Sequence, residues 1–151
     1  MKKRITLICA VVLLLALAGC AKQSKELPAP SELYAKINEK IELPEMLEMP
    51  QELISDYYGI EPEWYESIIA YKCQNIMRPD EIIIVKAVSK DAADNVKAKL
   101  EAWMAYKEKS AENYFTDTVD FIRNGVIRLD GLTVSLLVAA DIDKVVKVFE
   151  S

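Results

Sequence analysis

The chain has 151 residues, 52% of them hydrophobic, with 19 basic and 24 acidic side chains and no histidine. A net charge of −5 disfavours nucleic acid and anionic lipid headgroups as partners, since both would be repelled. The missing imidazole removes the commonest general base and the commonest zinc ligand, which excludes Ser-His-Asp and Cys-His catalysis within one chain.

At the N-terminus, Lys2, Lys3 and Arg4 precede a nearly uninterrupted apolar run over residues 5–18. That is the layout of a signal peptide, and the run is shorter than the roughly 20 apolar residues that span a bilayer as a helix. Leu17-Ala18-Gly19-Cys20 at its end resembles the lipobox of bacterial lipoprotein precursors. The resemblance implies a diacylglyceryl thioether on Cys20, cleavage of the Gly19–Cys20 bond, and a mature chain that starts at Cys20. Two acyl chains anchor stably where one does not. The expected partition is a signal peptide at 1–19, a lipidated cysteine and tether at 20–30, and one α+β domain at 31–151. Loss of the first 19 residues leaves 16 basic against 24 acidic side chains, a net charge of −8.

The tether carries Pro28 and Pro30 and reaches at most about 35 Å. Ser31 reads as the N-cap of a helix running to about Lys40, with Leu33, Ile37 and Ile41 on one face. Pro44 and Pro50 bracket a connection through Met46 and Met49. After it, residues 51–58 make a short helix stopped by Gly59. Residues 66–73 and 81–88 are rich in Ile, Val and Tyr and read as a hairpin through Arg78-Pro79-Asp80. Asp91 opens a long helix whose apolar face includes Ala93, Val96, Leu100, Trp103, Met104, Ala111, Phe115, Val119 and Ile122. Lys107 and Glu108 interrupt that face, which predicts a bend or break near Ser110. Asn124-Gly125 predicts a left-handed stop, and Asp130-Gly131 a tight turn between two further strands. Asp141 then caps a closing helix with Ile142, Val145, Val146 and Phe149 inward. The expected fold is one antiparallel four-stranded sheet in ββαββα order after one or two short helices, with helices mainly on one face and the other face partly open.

Three stretches carry a family resemblance: Leu43-Pro44-Glu45-Met46, Asp56-Tyr57-Tyr58-Gly59-Ile60, and residues 80–87. With the long helix, the late Leu136-Leu137-Val138 strand and the lipobox, the chain resembles a family of small lipoproteins from Gram-positive anaerobes catalogued only as a domain of unknown function. The resemblance covers nearly the whole mature chain and implies a membrane-anchored domain. It brings no activity or catalytic residues with it.

No Ser-x-x-Lys and no Gly-x-Gly occurs, so neither a Ser-Lys dyad nor a phosphate cradle is indicated. Glu42, Glu45, Glu48 and Glu52 crowd one segment, where a carboxylate pair would serve a glycosidase or a hard cation and a solvated acidic edge is the bland alternative. Asp141 and Asp143 lack the spacing of a calcium loop. Cys73, the one thiol left after processing and lipidation, permits no intramolecular disulfide; it reads as a small buried hydrophobe on a strand, or else as a reactive thiol. Tyr57, Tyr58, Trp64 and Tyr65 fall within nine residues around Gly59 and Pro62, a setting in which exposed rings would bind sugar or peptide and inward rings would close the core. The expected protein is a noncatalytic envelope interaction module, lipid-anchored through Cys20 on the extracytoplasmic face, with no metal or cofactor and an envelope protein, peptide or glycan as partner. A carboxylate-dependent envelope enzyme and a small-molecule-binding lipoprotein are the alternatives.

Overall fold

The computed structural model describes residues 27–114 and 118–151. Gly19, Cys20, the signal segment and Phe115 therefore lie outside the described residues. In chain order the elements are α1 (Pro30–Lys40), β1 (Met46–Glu48), α2 (Ile54–Tyr58), β2 (Tyr65–Cys73), β3 (Glu81–Ala87), α3 (Lys90–Tyr114), α4 (Val119–Arg123), β4 (Val126–Asp130), β5 (Thr133–Val138) and α5 (Ile142–Glu150). The strands form one sheet in the order β1-β2-β3-β5-β4, every neighbouring pair antiparallel.

β3 is the centre of the sheet and fixes the architecture. Ile82, Ile83, Ile84 and Val85 are all fully buried, and successive strand side chains point to opposite faces. Burial of all four requires a cover on both sides. Ile83 and Val85 pack with Leu136 and Val138 of β5 beneath Val96 and Leu100 of α3. Ile82 and Ile84 pack with Leu137 beneath Leu33 and Ile37 of α1 and Val145 and Phe149 of α5. The result is three layers, α1 and α5 on one face and α2 and α3 on the other, so the partly open sheet face expected above is closed.

The sheet has five strands because β1 adds to the edge of β2, pairing Met46 with Cys73 and Glu48 with Tyr71. Three residues between prolines carry too little alternation to declare a strand, and an edge is where neighbouring prolines are tolerated. α3 runs unbroken through Ser110 to Tyr114, so no break falls at Ser110, and the rest of the expected long helix is a separate helix, α4, from Val119. α1 begins at Pro30 with no side-chain cap, placing Ser31 inside the first turn. Asp141 flanks α5 without capping it; its carboxylate accepts from Lys144 Nζ at 2.8 Å.

Two glycines act as expected and one does not. Gly59 closes α2 at φ 66°, its N–H donating to Ser55 O at 2.8 Å. Gly131 sits at φ 64° in the two-residue turn between Asp130 and Thr133. Gly125 is not left-handed: α4 ends through Asn124 at φ −75°, and glycine follows because a Cβ there would lie 2.7 Å from Met104 Cε and 2.9 Å from both Ile122 O and Val138 Cγ2.

Candidate functional site

The site begins with a charged residue at the head of an apolar strand. Alternation along β3 turns Glu81, like Ile83 and Val85, toward α3, and Glu81 is only 2% exposed. On α3 the helical repeat puts Leu100, Trp103 and Lys107 on the face that meets the sheet, and α2 delivers Tyr58 from the side. The Glu81 carboxylate accepts from Tyr58 Oη at 2.8 Å, Trp103 Nε1 at 3.0 Å and Lys107 Nζ at 2.7 Å. Lys107 also donates to Pro79 O at 3.0 Å. A buried carboxylate is tolerated only with such partners, and here neutral donors and a cation enclose it together. Burial, then the negative charge of Glu81, pushes the Tyr58 phenol far above its ordinary value, so it remains a donor.

This cage forms the floor of a groove of about 350 Å³ between the β2–β3 turn and α3. Tyr57 and Tyr106 flank Trp103, with ring centroids 5.4 and 5.6 Å from it. Tyr57 is 45% exposed and Tyr106 63% exposed. Ile76 and Met77, at the tip of the turn, add exposed apolar surface of 87% and 54%. Lys72 leans on Tyr57, its Nζ 3.3 Å from the phenol oxygen and 4.8 Å from the ring centroid. Arg78 holds the buried Asp80 through two hydrogen bonds of 2.9 and 3.1 Å. Lys72, Arg78 and Lys107 against Asp80 and Glu81 leave the lining one positive charge in excess.

The four aromatic residues singled out from sequence are divided by the fold. Tyr57 lines the groove, Tyr58 is core and binds Glu81, and Trp64 and Tyr65 pack half-buried against the α3-side core. Trp103 and Tyr106 take the places expected for Trp64 and Tyr65. The missed signal was Lys107, whose interruption of an apolar helix face reflects a buried partner, Glu81, rather than a break at Ser110. Cys73 is buried at the end of β2. The acidic segment is spread over β1 and the residues on either side of it, with Glu48 in the strand accepting from Tyr71 Oη at 2.9 Å. Among the described residues no group of three or more Cys, Asp or Glu side chains is placed to hold a metal ion, and no helix is long and apolar enough to cross a membrane.

Fold and groove together define a three-layer mixed α/β domain built on one antiparallel five-stranded sheet, with an aromatic and cationic groove on one helical layer. Residues 39–139 match the family model of a domain of unknown function, DUF4358, and the chain belongs to that family. No curated protein and no solved structure matches the chain.

Proposed function

We propose that this protein is a lipid-anchored extracytoplasmic lipoprotein acting as a noncatalytic binding module at the cell envelope, and that the Tyr57–Trp103–Tyr106 groove is its binding surface. The groove carries the reading: four large apolar side chains with exposures of 45–87%, Tyr57, Ile76, Met77 and Tyr106, converge on one concavity. Convergence of that kind marks interaction sites, whereas apolar residues scattered singly over a surface do not. The lipobox residues Leu17-Ala18-Gly19-Cys20 support the anchor.

Catalysis by paired carboxylates has less support. Asp80 and Glu81, the acids in the groove, are both held in ion pairs with Arg78 and Lys107. Small-molecule binding is the second reading, favoured by a volume just above the roughly 300 Å³ floor for ligand pockets. Photo-crosslinking in intact cells discriminates. A photoreactive residue at Tyr106 should capture a defined species, and one at Leu129 on the far sheet edge should not. Equal background capture at the two positions would remove the groove as the binding surface.

A further inference from the structure

Resting on that reading, we infer that the partner is a peptide segment that combines large apolar side chains with at least one carboxylate, the carboxylate docking at Lys72 and Arg78. The occupant is set by charge and by the character of the rim. Lys72 is cross-strand from Leu47, which is 48% exposed, so an apolar neighbour extends the rim beside the cation. The ammonium rests on the Tyr57 ring, an arrangement that keeps the cation at the rim beside apolar surface. Arg78 holds Asp80 through Nε and Nη2, a two-point contact that fixes its guanidinium in the groove lining beside Lys72. The excess positive charge of the lining stands against a chain whose net charge is −5, which places local attraction for an acidic segment on an otherwise repelling surface. Ile76 and Met77 favour peptide over glycan, because exposed aliphatic side chains at a rim match Leu, Met or Phe anchors.

The test is selection of random dodecapeptides displayed on phage against the full-length protein purified in detergent. Recovered sequences should pair Asp or Glu with Leu, Met, Phe or Trp, and their affinity should fall with added salt. For a selected peptide, Lys72→Met should weaken binding about tenfold, with Lys72→Arg restoring it and Lys147→Met on the opposite layer leaving it unchanged. Enrichment of basic or acid-free sequences, or affinity indifferent to Lys72→Met, overturns the anionic partner. Recovery of no peptide, or Tyr106-dependent binding of polygalacturonate alone, overturns the peptide class. In each of those cases capture at Tyr106 in cells would keep the module reading standing. Loss of both capture and selection would sink the two together.

Discussion

Glu81 is the residue on which the groove side of the molecule depends. Three donors converge on one carboxylate that is almost wholly withdrawn from water. Removal of the acid alone strands a largely buried ammonium, because Lys107 is only 17% exposed. Glu81→Leu should therefore lower stability by about 3 kcal/mol. The double variant Glu81→Leu/Lys107→Met should recover a large part of that loss, since two apolar groups leave no unpaired charge. Denaturant midpoints of the three proteins check this: a double variant less stable than Glu81→Leu would contradict it. Tyr71 offers a pH-dependent counterpart. Partial burial, then its hydrogen bond to Glu48, pushes its phenol from 10.0 up to about 12. A raised folded-state value favours the protonated form, so the contribution is complete below pH 10 and is lost as pH rises through about 12. Stability should fall over that window, and the fall should be shallower in Tyr71→Phe, measured as thermal midpoint against pH. Parallel curves would count against the assignment.

Among the elements, the most legible in the sequence were those with a single demand on them. The β4–β5 turn needed a left-handed residue, Asp130-Gly131 announced it, and Gly131 has φ 64°. Gly131→Val should lower the denaturation midpoint by the equivalent of about 1–3 kcal/mol, and an unchanged midpoint would mean the turn tolerates a β-branched residue. Less legible were residues answering to a neighbour distant in sequence. Gly125 reads locally as a helix stop, yet its absent side chain makes room for Met104 and Val138. Gly125→Ala should cost about 1–3 kcal/mol because one of the close atoms, Ile122 O, is backbone and cannot swing away; calorimetry showing no loss would contradict that packing. Lys107 belongs to the same group, and so do Trp103 and Tyr106: nothing in α3 alone says which ring faces a groove, because the groove is completed by a turn some thirty residues upstream. The continuous run Ile82-Ile83-Ile84-Val85 did carry a message about layers. Unbroken apolar stretches belong to strands covered on both faces, whereas a half-covered strand alternates.

At the scale of the whole molecule, the three-layer arrangement removes the exposed sheet face as a binding surface, while Tyr57, Ile76, Met77 and Tyr106 keep exposed apolar surface in the groove beside α3. The proposed recognition therefore falls on a helical layer and a strand turn, where side chains can be exchanged without disturbing the central strands. The anchor is tested independently of the groove. With Cys20→Ser, the chain should lose its acyl modification and leave the membrane fraction or remain unprocessed; intact-mass measurement of an unmodified Cys20 in the parent would dispose of the anchor.

The position of Leu27 gives the molecule a direction. It packs against the α1 and α5 side of the core, the layer opposite the groove. Residues 21–26 separate Cys20 from Leu27, a reach of at most about 25 Å. If Cys20 is seated in lipid as proposed, the chain enters the domain on its α1 and α5 layer, which brings that layer nearer the bilayer than the aromatic groove. On the proposed anchoring, a site so oriented would look away from the bilayer, toward other envelope components rather than headgroups beneath it.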